Sequence, residues 1–219
     1  MNQIMRLAIL QKHAKNFVAS PQVLRPMFEG IHFDEKGRGI VTDTHQLVIV
    51  DDVHQYPEPI TIHHKTGEVI EGPFPDADKV IPQKFKTEIT IFEDLIPSAA
   101  KNCLKQLITY HKIAEMVSSD SEQVKYVLDK ERLWLRAKSG VTEGSTFSVP
   151  LPLLTLEQAI NTFEILFNPR FMINVLSLLI EFQPSSLKLG FNGPLSAITI
   201  LTNVGVTAIV SPIRLPEEE

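Results

Sequence analysis

The stretch RPMFEGIHFDEKGRGIVTDTHQLVIVD, residues 25–51, largely decides how this chain can fold. It contains three short apolar runs, GIHFD, GIVTD and LVIVD, and Glu35-Lys36-Gly37 provides a turn between the first two. Runs rich in valine and isoleucine that are bounded by glycine and aspartate are typical of β-strands. The stretch therefore predicts three short strands joined by turns.

The segments on either side of these strands predict a helix, a hairpin and a connector. Apolar residues at positions 7, 10, 14, 17 and 18 have helical spacing, and Ser20-Pro21 would end this helix because proline cannot continue it. After the strands, PITIHH and EVIEG flank Lys65-Thr66-Gly67 and predict a hairpin. The proline-rich run GPFPDADKVIPQKF, residues 72–85, predicts an extended connector and a domain boundary.

The second half of the chain predicts more elements of the same kinds. TEITIF predicts a strand, and Glu93 or Asp94 would cap a helix that runs to about His111. Asn168-Pro169 would open another helix through Ile180, because proline is favoured in a first helical turn. Further strands are predicted at QVKYVLD, RLWLRAK, STFSVPL, TFEILF, SLKLGF, SAITIL and TAIVS.

The order of these elements predicts an α+β fold made of two related domains, residues 1–86 and 87–219. Only one helix is predicted in the first half, so we expect the first domain to be shortened. With 219 residues, of which 43% are hydrophobic, the chain can bury the core of one large or two small domains.

Positive charge is concentrated in two of the predicted helices, although the net charge of the chain is −5. Residues 1–28 and 95–114 contain lysine or arginine but no acid. A surface of one sign suits sequence-independent contact with the phosphates of double-stranded DNA, whereas an ordinary solvated helix also carries lysines. Both interpretations stay open. The candidate DNA-binding residues are Arg6, Lys12, Lys15, Lys101 and Lys105.

The motifs typical of an enzyme or a metal site are missing from the sequence. It has no glycine-rich phosphate loop, no G-x-S-x-G elbow and no zinc-ligand spacing. Asp51-Asp52 is explained as a pair of turn acids, and Cys103 as a buried, inert thiol. His63-His64 would point to opposite faces of a strand. We therefore expect no catalysis, no cofactor and no metal.

The sequence also predicts an intracellular protein. No run approaches the roughly 20 apolar residues of a membrane span, and the N-terminus lacks the pattern of a signal peptide. Its one cysteine, Cys103, excludes an internal disulfide.

Three parts of the chain resemble the bacterial β sliding clamp family, the polymerase III β subunits. The strands of residues 25–51 include a turn similar to the family's Thr-Asp-x-His-Arg-Leu turn. FPDADKVIPQKFKTEITI is similar to the linker between the family's middle and last domains. FNPRFMINVLSLL, LGFNGPLSAITI and SPIRL are similar to its last helix and closing strands. The resemblance implies a DNA-clamp fold, a ring around duplex DNA and a place in the cytoplasm of a bacterium or of a phage-infected host.

The resemblance further implies a groove between the two domains that binds short peptides of the DNA polymerase and the clamp loader. A mostly apolar cleft with a few polar rim groups is what a peptide with hydrophobic anchors needs. Taken singly, each leucine and isoleucine in the set is better explained as a plain core residue, so the prediction depends on their joint match to the family. The residues that match the family's motifs are Thr42, His45, Leu47, Pro82, Phe171, Ser196, Ile209, Pro212, Ile213, Arg214 and Leu215.

The sequence departs from the family pattern at several places. Gln46 stands where arginine is usual, and Ser211 stands where methionine is common, so we expect a groove with one rim cation fewer and a smaller, more polar floor. We expect residues 53–70 to be too few for the second helix of a clamp domain, and we expect the family's first domain to be missing.

These departures leave two functional hypotheses. The first is a small clamp of a phage or mobile element that encircles DNA as a homotrimer, with head-to-tail contacts, and tethers a polymerase. The second is an adaptor or decoy that binds replication proteins without forming a ring. The acidic tail PEEE, residues 216–219, predicts either a disordered extension or a segment beside the mouth of the groove.

Overall fold

The chain folds into two antiparallel β-sheets with three α-helices packed against them. The structure, a computed structural model, describes residues 1–20, 25–118, 124–129, 132–139, 146–152, 155–156 and 162–214, with the backbone alone for residues 155–156. The helices are α1 (Gln3–Ala14), α2 (Pro97–Val117) and α3 (Pro169–Phe182). The strands are β1 (Gly30–Phe33), β2 (Gly39–Thr42), β3 (Gln46–Val50), β4 (Ile60–His63), β5 (Thr87–Phe92), β6 (Val124–Leu128), β7 (Leu133–Lys138), β8 (Thr146–Pro150), β9 (Thr155–Leu156), β10 (Phe163–Leu166), β11 (Leu187–Phe191), β12 (Ile198–Thr202) and β13 (Val206–Val210).

The strand order confirms the predicted α+β class. One sheet has nine strands in the order β4-β1-β2-β3-β13-β12-β11-β5-β9, and the other has four in the order β10-β6-β7-β8. The predicted strands all form, and the hairpin after β4 closes through a bridge between Ile62 and Val69. The short strand β9 was not predicted.

An internal repeat relates the first segment of the chain to the middle of it. Helix α1 precedes four strands in the order β4-β1-β2-β3, and helix α2 precedes four strands in the order β10-β6-β7-β8. Strand β10 leads into α3, whereas β4 leads into a hairpin. Within the described part of residues 1–86, α1 is the single α-helix, as the sequence predicted.

The nine-stranded sheet is continuous across the predicted domain boundary, because β3 pairs with β13. Gln46 lies opposite Val210 and Val50 lies opposite Val206. Side chains alternate along both strands, so Val48 and Ala208 join the core beneath the helices, while Leu47 and Ile209 form a smaller core on the outer face. The division at residue 86 remains a prediction.

The observed helix ends correct three predicted boundaries. Helix α2 begins at Pro97, and not at Glu93 or Asp94, because proline restricts the preceding Ile96 to extended backbone while its own φ suits the first helical position. It also continues past His111 to Val117, which brings Glu115 into the helix. Helix α1 ends at Ala14, earlier than predicted.

Asparagine side chains cap the other two helices. Asn2 Oδ1 accepts a hydrogen bond from Met5 N at 2.9 Å, and Asn168 Oδ1 accepts one from Arg170 N at 3.0 Å. Helix α3 ends at Phe182, because the next residue, Gln183, adopts a left-handed backbone conformation that stops the helix. The prediction of a helix opened by Asn168-Pro169 is therefore confirmed.

A buried polar pair lies where α2 packs on β6. His111 Nδ1 donates to Leu107 O at 2.7 Å, so Nε2 accepts from the Tyr126 hydroxyl, also at 2.7 Å. Both side chains are almost completely buried. Burial lowers the pKa of His111 to about 4, against the smaller effect of its bond to Leu107. His111 is therefore neutral and fully bonded at neutral pH.

We expect His111→Leu to lower the free energy of unfolding by about 1–3 kcal/mol, because the buried Tyr126 hydroxyl then loses its acceptor. Urea denaturation near neutral pH measures this change. The double variant His111→Leu/Tyr126→Phe should recover part of the loss, since it leaves no buried hydroxyl unpaired. A single variant as stable as the parent would contradict this role of the pair.

The same histidine makes the stability of the protein depend on pH. Its pKa is near 6.5 in an unfolded chain and about 4 in the folded one, so the unfolded state binds more protons between these values. The stabilising contribution is complete above about pH 6.5 and is lost as the pH falls towards 4. The double variant His111→Leu/Tyr126→Phe should not show this loss of stability in acid. Urea denaturation of the parent and of the double variant across this pH range measures the difference in the free energy of unfolding.

Candidate functional site

The turn between β2 and β3 is held by its own side chains. Asp43 Oδ1 accepts hydrogen bonds from the backbone N of His45 and of Gln46, at 2.9 and 2.8 Å. Thr42 Oγ1 donates to Gln46 O at 2.7 Å, and Thr44 adopts a positive φ of 80°. This turn holds His45 at the surface, where its carbonyl accepts from Ser211 N at 2.8 Å.

A cavity of about 410 Å³ opens beside this turn, over the junction of β3 and β13. Its floor is apolar because Leu47 and Ile209 point to the outer face of the sheet. The connector after Gly72 forms the opposite wall. The residues that line the cavity are Phe28, Thr42, Thr44, His45, Gln46, Leu47, Phe74, Pro75, Asp76, Ala77, Val80, Ala197, Ile209 and Ser211.

The structure brings together only part of the groove that was predicted. Thr42, His45, Leu47 and Ile209 line the cavity. Phe171 does not, but its ring stacks on that of His45, with centroids 6.1 Å apart and planes 8° apart. Its place is therefore at the outer end of the cavity.

Two further predicted residues lie next to the cavity and do not line it. Ser196 is the chain neighbour of the lining residue Ala197, and its backbone N donates to Gly193 O. Pro82 follows the lining residue Val80 in the connector and is half-buried.

The closing residues run past His45 towards the four-stranded sheet. Pro212 forms a bridge with Phe167, and Ile213 N donates to Leu166 O at 2.8 Å. Arg214 is exposed. Predicted residue Leu215 and the tail 216–219 lie outside the described residues. Pro212, Ile213 and Arg214 therefore extend the surface beyond the cavity and do not form its wall.

The connector wall is the part of the site that sequence reasoning missed. It is not simply extended, because Ala77–Lys79 form a 3-10 turn. Phe74, Ala77 and Ile81 pack against the outer face of the sheet. Their spacing of three and four residues is the signal that could have revealed an apolar stripe in this segment.

Gln46, which stands where the family usually has arginine, lines the cavity and takes part in the packing around it. Its side chain is buried, and Nε2 donates to Asn16 O at 2.7 Å and to Asp43 Oδ2 at 2.9 Å. Asn174 Nδ2 of α3 also donates to Asn16 O, at 3.2 Å. The inner end of the cavity is thereby tied to the end of α1 and to α3.

An ionic clasp holds the connector against the β1–β2 hairpin. Arg38 binds Asp34 and Asp78 together, with Nε–Oδ2 of 2.7 Å to Asp34 and Nη1–Oδ1 of 2.6 Å to Asp78. Lys36 also binds Asp78. The hydrogen bonds from Arg38 and then Lys36 lower the pKa of Asp78 to about 2. The Asp78 carboxylate therefore stays ionised in all but strong acid.

We expect Asp78→Asn to loosen the connector wall, because it removes the charge that Arg38 and Lys36 share. Hydrogen exchange of the backbone amides of residues 77–80 should become faster, while exchange in β3 stays unchanged. Lys79→Ala is the matched control, since its exposed pair with Asp76 is 3.7 Å long and should contribute little. Unchanged exchange in the Asp78 variant would contradict the clasp.

The helices present a second candidate surface. Met5 of α1, Lys101 of α2 and Glu181 of α3 line one open groove, so the three helices lie side by side. Lys15, Lys101 and Lys105 are exposed on this layer. Lys12 is exposed too, but its Nζ pairs with Glu181 Oε1 at 2.9 Å.

Glu181 makes the helical surface less uniformly positive than predicted. It also binds His13 Nε2, at 2.6 Å. Burial alone would raise the pKa of Glu181, but the hydrogen bonds from His13 and Lys12 lower it. Glu115, in the last turns of α2, is a second acid of the helical layer and lies 4.0 Å from Arg170.

Arg6 is a structural residue in this fold, which corrects its assignment to DNA binding. It is 8% exposed, and its Nε and Nη2 donate to Asp51 O and Gly205 O at 2.7 and 3.1 Å. Its guanidinium also lies 5.4 Å from the centroid of the Phe182 ring. Gly205 has a φ of +65°, and a Cβ there would meet Asp51 and the Arg6 guanidinium at about 3 Å.

The other residues considered for chemistry show no site. No group of three metal-ligating side chains occurs among the described residues. Cys103 is half-buried, and burial raises the pKa of its thiol. The rings of His63 and His64 stack 5.1 Å apart, so they do not point to opposite faces as predicted. The part of the chain that the structure describes has no helix both long and apolar enough to cross a membrane.

Comparison with known proteins supports the fold. No protein-family model and no curated protein matches the sequence. Among solved structures, a DNA polymerase sliding clamp from Pseudomonas aeruginosa with ligand is 16% identical, with a TM-score of 0.76, over 98% of this chain and 66% of the clamp. A sliding clamp from Bacillus subtilis is 16% identical, with a TM-score of 0.74, over 97% and 62%.

A third match is the P. aeruginosa clamp bound to griselimycin, 15% identical with a TM-score of 0.74 over 98% of this chain and 64% of the clamp. The chain therefore spans just under two thirds of the length of these clamps. Over this length it has the DNA sliding-clamp fold, as the sequence resemblance implied.

Proposed function

We propose that this protein is a sliding-clamp-type factor that binds short peptide segments of replication proteins in the cavity at the β3–β13 junction. The observation that carries this proposal is the position of the cavity. It lies over the strand pairing that joins the first and last parts of the chain, where the resemblance implies a peptide groove. The binding partners would be the DNA polymerase and the clamp loader.

The chemistry of the cavity suits an apolar anchor side chain. Leu47, Ile209 and Phe74 offer apolar walls, and His45 and Ser211 offer polar groups near its edge. Full burial of one leucine or phenylalanine side chain is worth about 1.5–3 kcal/mol. Two such anchors would contribute about 3–6 kcal/mol before the entropy lost on association, which suits a weak complex whose partners exchange.

Filling the cavity should abolish peptide binding without unfolding the protein. Ala197→Phe places a ring in the half-buried lining, whereas Leu195→Ala, two residues away, alters a side chain that is 62% exposed and outside the lining. With a fluorescent peptide that carries a leucine-phenylalanine anchor, we expect at least about tenfold weaker binding to the first variant and no change with the second. Polarisation titrations measure both.

The control probe is the same peptide with alanine at both anchor positions, which should bind neither variant nor parent. Equal affinity of Ala197→Phe and parent for the anchored peptide would refute the cavity as the binding site. Circular dichroism of the two variants establishes that both are folded.

We further propose that the helical layer lies against duplex DNA within a ring of three chains. Lys15, Lys101 and Lys105 are exposed and would contact phosphates without reading bases. The alternative is the adaptor or decoy without a ring. Two observations favour that alternative: α1 is the single α-helix in the described part of residues 1–86, and Glu181 already engages Lys12.

Two measurements separate the ring from the adaptor. Light scattering at micromolar concentration should give the mass of a trimer for a ring and that of a monomer for an adaptor. Replacing Lys12, Lys15, Lys101 and Lys105 by alanine should then weaken retention on circular duplex DNA and reduce its salt dependence, by a slope of about 0.9 for each phosphate that is no longer neutralised.

The matched control replaces four other exposed lysines, Lys65, Lys79, Lys84 and Lys86, which changes the net charge equally. A monomer whose DNA retention is the same in both quadruple variants would overturn the ring. Peptide binding should survive in both variants, so loss of the ring and loss of the groove are separate outcomes.

A further inference from the structure

The outer face of the four-stranded sheet carries a feature that neither the groove nor the helical layer uses. Strands β6 and β7 bury one side of their alternating pattern, including Tyr126 and Leu135, in the core under α2. The other side faces away from the helices and remains half-buried or exposed. On β7 it carries Trp134, Arg136 and Lys138 in alternate positions.

Trp134 lies between two arginines on this face. The guanidinium carbons of Arg132 and Arg136 are 5.9 and 5.7 Å from the centroid of the Trp134 ring, which is within range of a cation–π contact. The indole Nε1 donates to Asp129 Oδ2 at 2.8 Å, and this bond fixes the orientation of the ring. The three side chains form a row along the strand, which we call the Arg-Trp-Arg row.

Positive charge is only partly compensated around the row. Lys125 lies directly opposite Arg136 in the β6–β7 ladder, an arrangement of like charges that is unfavourable by itself. Lys125 pairs with Glu164 at 2.6 Å. Arg136 Nε is buried and has no hydrogen-bond partner among the described residues. An anion placed over the guanidinium of Arg136 would offset the repulsion from Lys125.

We propose that the Arg-Trp-Arg row binds single-stranded nucleic acid. Unpaired bases stack on aromatic rings and on guanidinium planes, and a four-stranded sheet with surface aromatics is a known platform for such stacking. Alternate residues along β7 lie about 6.7 Å apart, so the row offers cations and a ring to successive phosphates and bases of an extended strand. Duplex DNA has no free base faces and would meet only the charges.

The row is independent of the proposed groove and of the helical layer, since it lies on the side of the four-stranded sheet that faces away from α2. A clamp-type protein with this surface could hold a single strand outside while its helices face a duplex. An acidic peptide would be attracted by the same cations, but it would make no use of the fixed indole ring. That difference favours nucleic acid as the occupant.

The chain contains one tryptophan, so its own fluorescence reports on the row. Titration of the full chain with an oligodeoxythymidylate of about 16 nucleotides should quench Trp134 saturably, and added salt should weaken binding. A polyglutamate peptide and a duplex of equal length are the competing probes. Both should quench less and bind more weakly than the single strand.

Variants locate the site through the anisotropy of a labelled oligonucleotide. Trp134→Ala and Arg136→Ala should each weaken binding at least about fivefold, because each removes a stacking surface. Lys84→Ala, an exposed lysine away from this sheet, is the control and should leave the affinity unchanged. Thermal unfolding checks that the variants are folded, and the quenching of the parent chain needs no variant.

Three results would overturn the proposal. The first is no quenching of Trp134 at low salt. The second is polyglutamate binding that is as tight as that of the oligonucleotide and equally dependent on Arg136, which would make the row a site for acidic peptides. The third is oligonucleotide binding that Arg136→Ala leaves intact but Lys101→Ala/Lys105→Ala abolishes, which would assign it to the helices.

Discussion

The antiparallel pairing of β3 with β13 is the constraint on which the rest of the structure depends, because it joins residues 46–50 to residues 206–210 in one sheet. Alternation along these two strands then decides what each face can do. On one face Val48 and Ala208 complete the core beneath the helices, and on the other Leu47 and Ile209 form the floor of the cavity. A slip of one residue would exchange the two sets, so the cavity and the helix-bearing core are consequences of a single register.

Buried polar side chains reinforce this junction. Arg6 ties α1 to the end of β3 and to the turn before β13, through bonds to the carbonyls of Asp51 and Gly205. Gln46 ties β3 to the chain that follows α1. An unpaired buried polar group costs more free energy than its hydrogen bond contributes. This packing is therefore stable only while these hydrogen bonds are made. The same requirement explains why Arg6 and Gln46 act inside the fold and not on its surface.

Hydrogen bonds connect the cavity on the outer face of the nine-stranded sheet to the helices on its other face. The connector wall is held by the Arg38 clasp, while the inner end of the cavity reaches Asn16 and α3 through Gln46 and Asn174. A ligand in the cavity would therefore contact residues that also position the helical layer. The Arg-Trp-Arg row lies on the face of the four-stranded sheet that is turned away from α2. It is therefore separate from both the cavity and the helical layer.

The sequence by itself determined every strand except the short β9, the turn at residues 42–46 and the start of α3. Alternation, an aspartate in a turn and an Asn-Pro pair act through neighbouring residues. It also indicated the floor residues Leu47 and Ile209. Only the tertiary structure decided that Arg6 is buried, that Glu181 holds Lys12, and that the connector folds back as a wall. These depend on contacts between residues distant in sequence, whose free energy is set by burial and charge pairing and leaves no local pattern in the chain.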